Sequence, residues 1–115
     1  MIVMRPIRED AVLAELNANR FAGEICGYVI MDGPEYLGSM LYQIENKTTI
    51  VLDCSVKDTA VIDGAVRACI GAGENAGADC FCVNETDEKL KKWRSVFCKN
   101  EVNPIPNEKI FHKCK

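Results

Sequence analysis

The spacing of apolar residues divides the chain into segments of two kinds. Segments in which apolar and polar residues alternate, or in which a few apolar residues run together, are predicted to be strands. They are residues 1–6, 24–31, 36–45, 48–56, 78–83 and 109–114. Segments in which apolar residues recur every three to four positions are predicted to be helices. They are residues 8–19, 59–76 and 86–97.

This order, β-α-β-β-β-α-β-α-β, predicts an α+β fold (α/β in a looser vocabulary) in which helices flank a mixed, mainly antiparallel sheet. The three central strands follow one another through short turns, which is typical of an antiparallel meander. Residues 103–106 contain two prolines and are predicted to be a loop. The length of 115 residues suits one domain that spans residues 1–115.

Side-chain faces follow from the same periods. The strand at 48–56 is expected to place Ile50, Leu52, Cys54 and Val56 on one face, and Thr49, Val51, Asp53 and Ser55 on the other. The helix at 86–97 is expected to bury Leu90, Trp93, Val96 and Phe97, and to expose Lys89, Lys91, Lys92 and Arg94. The helix at 59–76 contains Gly64, Gly71 and Gly73. Each costs about 1 kcal/mol relative to alanine, so we expect a close backbone approach along this helix.

Charge and hydropathy exclude several classes of protein. The net charge of −3 and the pI near 5.2 argue against a nucleic-acid-binding protein, which usually presents a basic face. Residues 1–6 lack the charged-then-apolar order of a signal peptide, and no run approaches the roughly 18 apolar residues of a membrane span. We therefore expect a soluble, cytoplasmic protein without nucleic-acid or membrane partners.

The chain contains seven cysteines, an odd number that argues against a disulfide framework. Five of them lie in apolar segments, where a free thiol behaves as a small hydrophobic side chain: Cys26, Cys54, Cys69, Cys80 and Cys82. Cys80 and Cys82 would share one strand face, which leaves a soft-metal site as an alternative to core packing. His112 is the only histidine and is expected at the surface of the last strand.

The junction between the strand at 48–56 and the next helix is the best candidate for a binding site. A helix N-terminus offers unpaired N–H groups and a partial positive charge, which suits a phosphate. Asp58 is the expected N-cap residue, and Gly64 would allow a ligand to approach the backbone. Asp58 and Asp63 also bring negative charge to this junction.

The sequence resembles the GNAT (GCN5-related N-acetyltransferase) superfamily in three segments: residues 51–56, the helix at 63–70 and residues 75–79. The resemblance covers residues 27–97. In that family a loop of the form Arg/Gln-x-x-Gly-x-Gly/Ala cradles the pyrophosphate of CoA at the head of the central helix. The loop corresponds here to residues 61–66, in which Gly64 matches the middle glycine while Val61 and Val66 fill the outer positions. Lys92 stands where the family has a tyrosine general acid.

The resemblance implies acetyl-CoA as co-substrate. The residues expected to bind it are Ser55, Val56, Ile62, Asp63, Gly64, Ala65, Val66 and Asn84. Backbone N–H groups around Ser55 and Val56 would hold the pantetheine arm and polarise the thioester. Asp53 is the carboxylate expected to act as general base, and a nucleophilic Cys54 is disfavoured because no histidine lies near it. No metal ligands are implied.

Two functions are consistent with these residues. The first is an acetyl-CoA-dependent N-acetyltransferase that acts on a small-molecule or peptide amine. The second is a catalytically inactive GNAT-like fold that serves as a binding or oligomerisation module. A gap between the strands at 48–56 and 78–83 would favour the first. Exposed edges in a sheet of this size also predict a homodimer.

Overall fold

Strands and helices follow one another in the predicted order in the structure, a computed structural model that describes residues 1–111. The elements are β1 (Ile2–Pro6), α1 (Asp10–Asn17), β2 (Cys26–Asp32), β3 (Glu35–Glu45), β4 (Thr48–Cys54), α2 (Thr59–Asn75), β5 (Cys80–Val83), α3 (Glu88–Phe97) and β6 (Ile105–Pro106). A short 3-10 turn, Asn107–Lys109, follows β6.

The six strands form one sheet in the order β1-β2-β3-β4-β5-β6. Neighbours from β1 to β4 pair antiparallel, β4 and β5 pair parallel, and β5 and β6 pair antiparallel. The parallel step exists because α2 carries the chain back across the sheet between β4 and β5, as parallel neighbours require. The predicted mixed, mainly antiparallel α+β sheet is therefore confirmed.

Helix α2 packs against one face of the sheet and forms the centre of the core. Its apolar stripe, which includes Val66, Cys69 and Ile70, is fully buried against side chains of β2, β3 and β4. The closest approach is at Gly73, where an added Cβ would lie 1.7 Å from Thr49 Oγ1. The expected close backbone approach is confirmed at Gly73, but not at Gly71, whose Cβ would meet nothing within 4 Å.

A β-bulge in β4 overturns the predicted alternation of its faces. Leu41 of β3 pairs with Asp53 and Tyr42 pairs with Val51, so Leu52 is the extra residue. A bulge reverses the side-chain sense of the residues that follow it. Thr49 and Val51 therefore bury against α2 together with Cys54 and Val56, and Asp53 lies on the opposite face with Leu41.

Helix α3 joins the core through fewer side chains than expected. Leu90 and Trp93 are buried as predicted, whereas Val96 is 65% exposed and Phe97 is 45% exposed. Asp63 of α2 holds the helix at Trp93, because its Oδ1 accepts from Trp93 Nε1 at 2.9 Å. The same oxygen accepts from Arg67 Nε of α2 at 2.8 Å. The chain returns to the core directly after the helix, at Cys98, which is buried.

The basic face predicted for α3 is only partly solvated. Arg94 donates to the carbonyl oxygens of Cys98 and Glu101, at 3.3 Å and 2.7 Å, and so fixes the chain after the helix. Lys89 is half-buried, whereas Lys91 and Lys92 are exposed as predicted.

The C-terminal segment differs from the prediction. Ile105–Pro106, expected in a loop, forms β6, and Asn107–Lys109 turns away in the 3-10 helix. The turn is held by Asn107, whose Nδ2 donates to Ala78 O and to Glu74 Oε2, both at 3.0 Å. The predicted strand at 109–114 is therefore wrong at its start, and the rest of it, with His112 and Cys114, lies outside the described residues.

Cysteines in the described part of the chain are all free thiols. Cys54 and Cys69 are buried as predicted, whereas Cys26, Cys80 and Cys82 are half-buried. Among residues 1–111, no group of three or more His, Cys, Asp or Glu side chains is placed to hold a metal ion. No helix within the same range has the length and apolar character needed to cross a bilayer.

Candidate active site

A cleft of about 880 Å³ opens at the end of the sheet where β4 stops and α2 begins. Its walls come from β1, the end of α1 with Arg20, the end of β2, the first half of β3, Asp53 of β4, the segment 55–58 and the first turn of α2. The charged residues that line it are Arg20, Asp32, Glu35, Asp53, Lys57 and Asp58. Carboxylates outnumber cations in this lining, so the cleft favours a positively charged ligand.

Asp53 lies in this cleft and is held by a bidentate ion pair. Its two oxygens accept from Arg20 Nη1 and Nη2 at 3.1 Å and 3.0 Å. Arg20 also donates to Leu16 O and Asn17 O, both at 3.0 Å, and so ties the last turn of α1 to β4. This hydrogen bond to Asp53 raises the pKa of the Arg20 guanidinium, which stays protonated and orients the carboxylate.

The chain between α1 and Arg20 turns through the left-handed region. Ala18 and Asn19 have φ values of 49° and 60°. Such values are uncommon for residues other than glycine and cost energy unless the surroundings hold them. The turn brings Arg20 back over the carbonyl groups of α1, from where it reaches β4.

Strand β4 continues past the C-terminal end of its parallel neighbour β5. The parallel ladder ends at the pair Val51–Val83. Asn84 continues it with two hydrogen bonds, from its N–H to Val51 O at 2.8 Å and from its Nδ2 to Leu52 O at 3.0 Å. Beyond this point, no strand formed by residues 1–111 lies beside the edge of β4.

Side chains from the start of α3 cover that free edge. Asp87 Oδ2 accepts from the Cys54 N–H at 3.0 Å, and Lys89 Nζ lies 3.4 Å from the Cys54 carbonyl oxygen. The N–H and the C=O of Cys54 on this edge are thus both bonded to side chains, one of the N-cap residue of α3 and one of its first turn.

On the other side of β4, Ser55 is bound to β3. Its N–H donates to Ser39 O at 3.0 Å, and its Oγ accepts from the Ser39 N–H at 2.8 Å. The hydroxyl groups of the two serines are 3.2 Å apart. Gly38 beside them has a φ of 144°, and a Cβ there would lie 2.9 Å from the Val56 backbone, so the wall of the cleft is closely packed.

Solved structures of acetyltransferases share this architecture. AAC(6')-Iy bound to the bisubstrate analog CoA-S-monomethyl-acetylneamine aligns with 100% of this chain and 99% of its own, at 13% identity and a TM-score of 0.64. A GNAT family acetyltransferase from Streptococcus pneumoniae TIGR4 aligns with 84% of this chain and 86% of its own, at 16% identity and a TM-score of 0.54.

A third structure comes from an uncultured soil metagenomic sample. It is the aminoglycoside acetyltransferase meta-AAC0020 in complex with sisomicin, which covers 99% of this chain and 97% of its own, at 13% identity and a TM-score of 0.53. This chain has the GNAT fold. No protein-family model matches the sequence, and no curated protein matches it significantly.

The segment that corresponds to the GNAT pyrophosphate loop is helical in this chain. Residues 61–66 lie inside α2, and the Ile62 N–H already donates to Asp58 O at 2.9 Å. Val61, Ile62, Ala65 and Val66 are buried in the core. The N–H groups that remain for a phosphate therefore lie earlier, in the first turn of α2, which begins at Thr59.

Two other predicted binding residues of the GNAT pattern face elsewhere. Asp63 joins α2 to α3 by accepting from Trp93 Nε1, and it pairs with Arg67 one turn further along α2. A Cβ on Gly64 would lie 3.1 Å from the Met4 side chain, so this glycine packs toward β1. The structure thus separates residues 61–66 from the cleft except at Val61, which lines its wall.

Among the predicted residues, Asp53, Ser55 and Val56 do line the cleft, and Asn84 lies at the end of the β4–β5 ladder. The N–H of Ser55 donates to Ser39 O of β3, so on the other edge of β4, past the end of β5, the backbone groups bonded to side chains instead of a strand are those of Cys54. Sequence reasoning missed Arg20, Asp87 and Lys89. Asp87 was detectable as an N-cap residue of α3, because aspartate before a helical segment is a capping signal.

Cys54 itself is buried at 3% exposure, and burial raises the pKa of its thiol to about 11. A raised thiol pKa means that the folded state binds the proton more tightly. The stabilisation is present below the ordinary thiol pKa of 9.0 and is lost as the pH rises through about 11.

We therefore expect alkaline pH to destabilise the wild type more steeply than Cys54→Ala. Urea unfolding of both proteins at pH 8, 9.5 and 10.5 measures the difference. Equal slopes in the two proteins would contradict the assignment, whatever the stability of the variant at pH 8.

Proposed function

We propose that this protein is an acetyl-CoA-dependent N-acetyltransferase whose acceptor is a cationic amine. One observation carries the proposal: Asp53 lies in the 880 Å³ cleft directly beside Cys54, whose N–H and C=O lie on the edge of β4 past the end of β5 and bond to side chains instead of a strand. A carboxylate that can act as a base and a strand edge without a neighbouring strand among residues 1–111 thus belong to adjacent residues of β4. Likeness to acetyltransferases along the full chain, including one bound to a CoA analog, supports this reading.

The acyl donor would enter from the side of β5. Its amide-bearing arm can add to the edge of β4 through backbone hydrogen bonds at Cys54, as an extended segment adds to a sheet edge. Its phosphates would meet the first turn of α2, where N–H groups near Thr59 and the side chain of Lys57 offer positive charge.

The acceptor would enter the cleft from the opposite face of β4. Asp32, Glu35, Asp53 and Asp58 give this cleft its negative charge, opposed by Arg20 and Lys57. A ligand with several ammonium groups complements such a lining. The structural neighbours include an aminoglycoside acetyltransferase in complex with sisomicin, which is an amine of this class.

The reaction assigns one role to Asp53. Its carboxylate accepts the proton that the acceptor ammonium must lose before nitrogen can attack. The nitrogen then forms a C–N bond to the acetyl carbonyl carbon, the C–S bond of the thioester breaks, and the nitrogen loses a second proton. CoA leaves as a thiolate that takes up this proton through solvent, so that the products are the N-acetylated amine, CoA thiol and the proton held by Asp53. Arg20 keeps the carboxylate oriented through its two hydrogen bonds.

Calorimetric titration with acetyl-CoA, with free CoA in parallel, tests the donor half of this proposal. We expect micromolar binding, on the order of −8 kcal/mol. Lys57→Gln should weaken it by about two- to fivefold, the effect of one exposed charge contact. The matched control is Lys47→Gln, which removes an exposed lysine at the other end of β4 and should change nothing.

The acceptor half is tested by following CoA thiol release with sisomicin, a linear diamine and a neutral hydroxylamine ether as acceptors. Release with the cationic amines alone supports the proposal. No binding of acetyl-CoA up to about millimolar, weaker than roughly −4 kcal/mol, would overturn the enzyme assignment and favour a non-catalytic binding module.

A further inference from the structure

The free edge of β4 is covered by two side chains that do different work. Asp87 uses Oδ1 to cap α3, accepting from the Lys89 N–H at 2.9 Å and the Leu90 N–H at 3.2 Å. It uses Oδ2 to accept from the Cys54 N–H at 3.0 Å. Lys89 completes the contact with its ammonium 3.4 Å from the Cys54 oxygen.

These contacts reproduce what an added strand would make. A neighbouring strand pairs with one N–H and one C=O of the same residue, and here a carboxylate and an ammonium pair with the N–H and C=O of Cys54. Asp87 and Lys89 therefore compete for the same two groups with any amide-bearing ligand that joins this edge.

We propose that Asp87 and Lys89 form a clip that closes the edge of β4, and that the arm of an acyl-CoA must displace this clip to bind. The inference rests on the proposed function, because it takes acyl-CoA as the ligand that joins the edge. In the closed state, the clip lowers the apparent affinity for acyl-CoA, since the binding-competent state is only fractionally populated.

The clip can open without loss of the helix. The cap on α3 uses Oδ1, so that the bond from Oδ2 to Cys54 can break while the cap stays. Asp87 and Lys89 are both partly exposed, so water can hydrogen-bond to the carboxylate and the ammonium when they leave Cys54. Asn84 keeps its bonds to Val51 and Leu52 and serves as the fixed end from which the segment moves.

Asp87→Asn separates the two roles of the carboxylate. Asparagine is as good an N-cap residue as aspartate, but it has one oxygen instead of two. With that oxygen on the helix N–H groups, its NH₂ would face the Cys54 N–H, donor against donor. We expect acetyl-CoA to bind at least tenfold more tightly to this variant than to the wild type.

Glu88→Gln is the matched control, because it removes the same charge one residue away, at an exposed position. It should bind acetyl-CoA as the wild type does. Asp87→Ser offers a second test in case the asparagine variant folds poorly, since serine also caps a helix but is too short to span both contacts. Amide exchange of Cys54 should be faster in both Asp87 variants.

The outcomes separate the proposed clip from the proposed acetyltransferase function. Tighter binding by both Asp87 variants but not by Glu88→Gln supports the clip. Equal micromolar binding by all proteins overturns the clip and leaves the acetyltransferase assignment standing. Tighter binding by Glu88→Gln as well means a general charge effect, and it too overturns the clip. Absence of binding in every protein overturns the clip together with the acetyltransferase assignment.

Discussion

Asp53→Asn is expected to lower kcat/KM for acetyl transfer by about two to four orders of magnitude, the usual contribution of a positioned general base. Asparagine keeps the shape of the side chain and one of its two hydrogen bonds from Arg20, but it does not accept a proton at neutral pH. The loss should therefore fall on kcat, while KM for acetyl-CoA stays within about twofold, because Asp53 lies on the acceptor side of β4.

Asp32→Asn is the matched control for the charge of the cleft. Asp32 lines the same cleft and is paired with the N-terminal amine at 3.0 Å, away from Arg20. If only the negative electrostatic potential of the cleft mattered, Asp32→Asn and Asp53→Asn should raise KM for the acceptor by similar factors and leave kcat unchanged. A kcat for Asp53→Asn within threefold of the wild type would contradict a base at this position.

A measurement of stability distinguishes a loss of catalysis in Asp53→Asn from a loss of folded structure. The Arg20–Asp53 pair is partly exposed, and such pairs contribute about 0–1 kcal/mol. Urea unfolding of Asp53→Asn should therefore stay close to the wild type.

Gly73→Ala is expected to cost about 3 kcal/mol of unfolding free energy, even though alanine favours a helix by about 1 kcal/mol over glycine. The added methyl group would lie 1.7 Å from Thr49 Oγ1 and 2.9 Å from its Cβ. Thr49 is fully buried in β4, so neither partner can move into solvent. Either the helix must lift from the sheet or the threonine must leave its rotamer.

Gly71→Ala makes the same substitution two residues earlier in the same helix, and its Cβ would meet nothing within 4 Å. We expect this control to stabilise the protein by about 1 kcal/mol. Urea unfolding of both variants measures the contrast. Adding Thr49→Ala to Gly73→Ala should recover part of the loss, because it removes the hydroxyl. Similar stabilities for the Gly71 and Gly73 variants would contradict the packing described for α2.

The order of elements was predictable because it depends on local periodicity. Alternation in the central strands and a three-to-four spacing in 59–76 are strong signals, and the structure places strands and helices there. The bulge at Leu52 was not predictable, since an inserted residue leaves no mark on a chain that is apolar on both sides of it. That single residue moved Thr49 and Val51 to the α2 face of β4.

The candidate site was predictable only where one residue carries the signal. Asp53 stands out as a carboxylate in an apolar strand, and the structure places it in the cleft. Arg20 and Lys89 looked like ordinary charged residues at a helix end and on a helix face. Their partners are 33 and 35 positions away in the chain, and no local pattern reports such a contact.

Sequence by itself determined the kind and order of the elements from β1 to α3, and with them the class of fold, because these follow from which residues must leave water and at what spacing. Only the tertiary structure decided the chemistry of the site. It turned Ile62, Ala65 and Val66 of the predicted helix into the core and away from the cleft. It also brought Arg20 to Asp53 and Asp87 to Cys54. Such pairings depend on how elements dock in space, and docking geometry is set by packing among distant residues rather than by neighbours along the chain.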